Sequence, residues 1–136
     1  MGKDFVKVGD VMRTSLLMVS GLETVQGAMD RMKEHSVSSL IIERRDRDDE
    51  YGMVTVQDIA AKVIARNRSA ARTSVYEIMT KPVLTIDRDM NVKYAIRLLA
   101  RLDFTRTLVV GEEGLLGLVT LRDLVLGYRD GGVASD

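Results

Sequence analysis

The sequence predicts an α/β (α+β) fold built from two copies of one β-α-β-β-α unit. Three observations carry that prediction. Gly52-Met53-Val54-Thr55-Val56-Gln57-Asp58 and Gly117-Leu118-Val119-Thr120-Leu121-Arg122-Asp123 follow one pattern: glycine, two apolar residues, threonine, two variable residues, aspartate. An offset of 67 residues lays Val8-Gly9-Asp10-Val11-Met12 over Val75-Tyr76-Glu77-Ile78-Met79, and Leu17, Val25 and Ala28 over Leu84, Val92 and Ala95. Short apolar runs and helical stripes then succeed one another in the same order in both halves, taken as residues 1–68 and 69–136.

Each half opens with a short apolar run, Leu16 to Val19 and Val83 to Ile86. Pro82, the only proline, precedes the second run, where it presets an extended entry without removing a ladder bond. Val25, Ala28, Met29 and Met32 then form one helical stripe behind a candidate N-cap, Thr24. Val92, Ala95, Ile96 and Leu99 repeat the stripe behind Asn91. Leu40 to Ile42 and Leu108 to Val110 read as strands that return through polar loops as Tyr51 to Thr55 and Leu116 to Thr120, giving two hairpins. Closing helices begin near Val56, carrying Ile59, Val63 and Ile64, and near Leu121, carrying Leu124, Val125 and Tyr128.

At the repeated motif the offset falls to 65, so the first copy holds two extra residues between Ile42 and Gly52. The charged run Glu43 to Glu50 lies there; its charges from Arg44 to Glu50 alternate in sign and read as a solvated loop, with partner docking as the alternative. Residues 66–74 read as a helix end and linker, and residues 131–136 as a frayed tail. Each half is small enough to be marginal alone, so the halves are expected to share one core.

Composition excludes several function classes. With no cysteine, disulfides, zinc ribbons and thiol catalysis are ruled out. Lys plus Arg equals Asp plus Glu at 20 each, and aromatics are scarce, so nucleic-acid binding is not expected. No apolar run reaches membrane-spanning length and the first residues hold no apolar signal core, so a cytoplasmic address without membrane insertion is expected. No nucleophile–base pair, metal cluster or phosphate-binding glycine loop is visible, which argues against an enzyme. His35 falls near a helix C-terminus without a partner ligand for zinc. Met12, Met29, Met32 and Met79 occupy apolar positions as core filler.

The motif itself allows two chemistries. T-x-x-D before a helix is a capping-box variant, with the glycine admitting a second backbone nearby. The same strand-to-helix junction also offers helix N–H donors to an anion. An ionised aspartate is acceptor-only and can take two adjacent hydroxyls, while a threonine hydroxyl can serve a sugar or a phosphate. Vicinal hydroxyls beside a phosphate describe a ribonucleotide.

From roughly Asp4 to Tyr128 the chain resembles a tandem pair of CBS domains, named after cystathionine β-synthase. The opening V-x-x-[IV]-M-T is matched by Val8 to Arg13 and Val75 to Thr80, and the closing G-[IV]-[VI]-T-x-x-D-[IL] by Gly52 to Ile59 and Gly117 to Leu124. The resemblance implies two units packed through their sheets about a pseudo-two-fold axis, and homodimers that form a flat disc. It implies AMP, ADP, ATP or S-adenosylmethionine as ligand, and regulation of a partner protein without catalysis. By motif match, Asp58 and Asp123 would take ribose hydroxyls, and Thr55 and Thr120 ribose or phosphate. Arg13, Thr14, Ser15 and Leu16, with Thr80, Lys81, Pro82 and Val83, would line the pocket. Ser38, Ser39, Arg106 and Thr107 occupy the position from which relatives contact phosphate. One departure is visible: the family often has proline in its second strand, where this chain reads Leu40-Ile41-Ile42 and Leu108-Val109-Val110.

Alignment of the copies sets Lys81 against Thr14, Arg106 against Ser39 and Arg122 against Gln57; only Arg13 against Thr80 runs the other way. An anionic nucleotide is therefore expected to prefer the site of Thr120 and Asp123. The leading expectation is an adenine-nucleotide sensor acting through a partner on another chain. The alternatives are a dimerisation scaffold with vestigial clefts, or an S-adenosylmethionine binder.

Overall fold

A computed structural model describes residues 5–81 and 84–129. The chain divides into two compact units, one within Leu16–Val83 and the other joining Met1–Ser15 to Leu84–Asp136. The units therefore do not follow the linear repeats. The opening turn of each repeat folds with the sheet of the other.

In the first unit, β1 (Met18–Val19) runs parallel to β2 (Ser39–Ile42), and β2 pairs antiparallel with β3 (Gly52–Thr55). Helix α2 (Val25–His35) connects β1 to β2. The Thr24 hydroxyl accepts from the Gly27 N–H at its start, and Ser36 ends it in the left-handed conformation with φ 55°. In the second unit, β4 (Thr85–Asp87) runs parallel to β5 (Arg106–Gly111), which pairs antiparallel with β6 (Gly114–Thr120). Helix α4 (Val92–Leu102) connects β4 to β5, capped by Asn91, whose side chain accepts from the Lys93 N–H. Gly114, at φ 107°, closes the hairpin turn expected at Glu112 to Gly114.

Each unit has its own buried cluster. Val25, Ala28, Met32, Leu40, Ile42, Val54, Ile59 and Val63 are joined in the first by Val75 and Ile78. Ile86, Val92, Ala95, Leu99, Val109, Val119 and Leu124 are joined in the second by Val8. The openings are exchanged: α1 (Val8–Val11) and the turn Val75–Glu77 each add apolar residues to the cluster under the other repeat's sheet. Met29 and Met79 pack against the first cluster and Met12 against the second, as filler.

Helix α3 (Val56–Ile59) continues as a π-helical turn, Ala60–Ile64, in which the Ala65 N–H donates to the Ala60 carbonyl at 2.8 Å. Val63 stays buried, but Ile64 is exposed, contrary to the expected stripe. In α5 (Leu121–Gly127) Leu124 is buried and Val125 is exposed. The supposed linker is structured: Ala70–Arg72 form a 3-10 turn, Thr73 is buried, and its hydroxyl donates to the Ser69 carbonyl. The expected tail 131–136 lies outside the described residues.

Candidate nucleotide-binding corners

The end of each hairpin and the start of the helix after it form a corner, and the same hydrogen bonds build both. The register pairs Ser39 with Thr55 and Arg106 with Thr120. The strand pattern then runs into the helix: the Val56 N–H donates to the Ser38 carbonyl at 3.0 Å and the Leu121 N–H to the Thr105 carbonyl at 2.8 Å. The capping box is complete in both copies. The Thr55 and Thr120 hydroxyls accept from the N–H groups of Asp58 and Asp123 at 3.1 and 3.0 Å. The carboxylates accept in return from the N–H groups of Thr55 and Thr120 at 3.0 and 3.2 Å. The first and third N–H groups of each helix are thus engaged, which narrows the donors expected for an anion.

The motif glycine admits the opening segment of the other repeat. Met53 and Thr80 exchange two backbone hydrogen bonds, at 3.0 and 2.9 Å, and Leu118 and Arg13 do the same at 2.9 and 2.8 Å. A Cβ at Gly117 would stand 2.6 Å from the Arg13 carbonyl oxygen, and one at Gly52 would stand 2.7 Å from Met79 Sδ. The glycine of the closing motif and the methionine of the opening motif are therefore packing partners.

This exchange also redistributes the cations. Arg13, counted by alignment with the first copy, lies on the Asp123 corner. Its Nε donates to Asp123 Oδ2 at 3.1 Å and its Nη2 to Oδ1 at 3.2 Å. Burial alone would push the Asp123 carboxyl up; hydrogen bonds from Arg13 and Thr120, with the Arg13 charge, outweigh it and hold it below the ordinary carboxylate range. Lys81, counted with the second copy, belongs to the Asp58 unit and forms an ion pair with Asp49. Asp49 lies in the loop expected to be merely solvated, yet its side chain is 8% exposed. The Lys81 hydrogen bond, with that from the Arg45 N–H, depresses its carboxyl strongly. Lys62, missed in the sequence, lies one turn after Asp58: its Nζ is 3.3 Å from Asp58 Oδ1 and donates to the Ile78 carbonyl at 2.9 Å.

Among the other expected site residues, Thr14 and Ser15 are exposed and Leu16 is half-buried. The division between the units falls between Ser15 and Leu16. Arg122 is exposed on α5 and Arg106 half-buried at the start of β5. Thr107 is 1% exposed and its hydroxyl donates to the Leu84 carbonyl at 2.6 Å, which fastens β5 to the segment before β4. Pro82 and Val83 lie outside the described residues.

Paired β-α-β-β-α sheets, each ending in a threonine–aspartate corner, define a tandem-repeat α/β module. The CBS domain family model matches residues 8–65 and 75–129, and the chain belongs to that family. An uncharacterized protein of Methanopyrus kandleri is 31% identical over 121 residues; the match covers 88% of this chain but 61% of that protein's length. A hexameric CBS-CP12 protein from bloom-forming cyanobacteria superposes with a TM-score of 0.85 at 33% identity, covering 92% of this chain and 73% of the other. CBSX2 in complex with AMP superposes with a TM-score of 0.73 at 27% identity, covering 91% and 96%. Among the described residues no helix is long and apolar enough to cross a membrane.

Proposed function

We infer that this chain is a regulatory module that binds an adenine nucleotide of the AMP, ADP or ATP type and signals its presence to a partner protein, without catalysis of its own. The observation that carries this reading is the duplicated corner. Each copy sets a largely buried carboxylate, Asp58 or Asp123, beside the hydroxyl of a threonine that itself pairs with the first residue of the partner strand. Such a carboxylate suits a ribose diol. The similarity to CBSX2, solved with AMP, supports the same ligand class. On this reading residues 1–68 and 69–136 are the two repeats, Pro82, Val83 and Lys81 flank the ligand, and the working form is a cytoplasmic homodimer.

Nucleotide binding acts only through a difference in affinity between two arrangements of the module. The test is thermal unfolding with AMP, ADP, ATP and S-adenosylmethionine. A ligand held at a hundred times its Kd stabilises by about 2.7 kcal/mol. No shift with any adenosine compound at millimolar concentration would favour the second reading, a scaffold with closed corners. Occupation of both Asp123 oxygens by Arg13 is the observation that speaks for the scaffold.

A further inference from the structure

We propose that Arg13 is the specificity-determining residue of the Asp123 corner, exchanging Asp123 for the ligand's phosphate and so selecting nucleotides over nucleosides. The proposal rests on the nucleotide reading above and goes beyond it by assigning a role to a residue outside the T-x-x-D motif.

The geometry sets up a competition. The two oxygens of one carboxylate can each accept from one hydroxyl of a ribose diol. Arg13 already donates to both oxygens of Asp123, and Oδ2 also accepts from the Thr120 N–H. The guanidinium covers the carboxylate from the solvent side: the Arg13 side chain is 60% exposed, that of Asp123 14%. A diol can take the carboxylate only by displacing or sharing with the guanidinium.

The backbone keeps the displaced group close. Arg13 is fastened to Leu118 by a hydrogen bond in each direction, so its Cα stays beside β6 while the side chain swings. Once released, the guanidinium is a cation without its counter-ion, and its planar fork fits phosphate in two-pronged fashion. A nucleotide supplies that anion and the exchange is balanced: carboxylate to diol, guanidinium to phosphate. A nucleoside offers the diol alone and leaves the released charge uncompensated. The corner therefore discriminates against neutral adenosine through the Arg13–Asp123 pair itself.

Among the described residues the Asp58 corner is built differently. Thr80 occupies the position of Arg13, and the cation beside Asp58 is Lys62, whose Nζ is also held by the Ile78 carbonyl. Nucleotide over nucleoside selectivity is accordingly a property of the Asp123 corner.

Calorimetric titration of the full chain with AMP and with adenosine tests the proposal, with Asp58→Asn present throughout to silence the other corner. Arg13→Ala is expected to weaken AMP about tenfold while leaving adenosine unchanged or tighter, so the adenosine-to-AMP ratio of Kd values falls about tenfold. Arg13→Lys, which keeps charge but not the fork, is expected to fall between, and carries the test should Arg13→Ala fold poorly. A ratio that stays within about twofold of the parent in both variants overturns the role of Arg13 alone. Binding of AMP that disappears with Asp58→Asn also overturns it, because the ligand then lies at the other corner. Failure of the unmodified chain to bind either compound removes the nucleotide reading and this role together.

Discussion

Arg13 and Asp123 lie 110 residues apart in sequence and meet through two hydrogen bonds within one folding unit. The pair fastens the opening of the first repeat to the closing motif of the second. It also sets the sign of an acid effect. The folded-state carboxyl of Asp123 titrates below its ordinary value, so the pair contributes stability above the unfolded value near 3.9 and loses it as pH falls through the folded one. Asp123→Asn is expected to reduce unfolding free energy at pH 6, with the difference from wild type shrinking below about pH 4. The coupling to Arg13 in a double-mutant cycle should be about 0.2–1 kcal/mol, since the guanidinium is solvated. A difference independent of pH between 6 and 2.5 would contradict this.

The two motif glycines predict unequal costs. At Gly117 an added methyl meets the Arg13 carbonyl oxygen, a backbone atom that cannot turn aside. At Gly52 its nearest neighbour is Met79 Sδ, the end of a flexible side chain, with the Thr80 carbonyl at 3.4 Å. Gly117→Ala is expected to destabilise by about 1–3 kcal/mol, and Gly52→Ala by less. Urea unfolding of the two variants decides it, and the reverse order would refute the packing argument.

Thr55 and Thr120 each cap a helix and each stand in the candidate site. Thr55→Ala and Thr120→Ala are expected to cost about 1 kcal/mol each, while serine at either position retains the cap. Chemical denaturation of all four variants without ligand tests this; equal losses for serine and alanine would show that the hydroxyl is not the stabilising group.

What was legible in the sequence was what repeats locally. The caps Thr24 and Asn91, the helices behind them and both T-x-x-D boxes follow from side-chain chemistry within a few residues. The ends of both hairpins at Thr55 and Thr120 were legible as well, whereas the register, with its shift between Val109 and Val110, comes only from the structure. What escaped was pairing across the repeats. Alignment assigns Arg13 and Lys81 to copies, whereas packing assigns each to the other copy's sheet, and no local signal reports that exchange. Asp49 escaped for a related reason: among alternating charges, the covered carboxylate is set apart by Lys81 from the next repeat's opening and by the Arg45 N–H. Lys62 was readable at four residues from Asp58 and marks a signal overlooked rather than absent.

The Asp49–Lys81 pair makes the charged loop a competitor for a candidate ligand residue. Asp49 gathers the loop through hydrogen bonds from the Arg45 N–H at 2.8 Å and the Arg45 Nε at 3.3 Å, while its other oxygen engages Lys81. Asp49→Asn keeps the shape and removes the charge. Two effects should follow from that one change. The loop loosens, so limited trypsin digestion should cleave faster at Arg44, Arg45 and Arg47 than in wild type. Lys81 loses its counter-ion, so if it flanks a nucleotide phosphate, affinity for AMP should rise a few-fold and depend more steeply on salt. Lys81→Ala should loosen the loop similarly, because the same pair is broken, but should weaken AMP rather than strengthen it. Opposite effects on AMP with parallel effects on proteolysis are what competition for one ammonium requires. If both variants change AMP affinity in the same direction, Lys81 serves to hold the loop and takes no part in ligand binding.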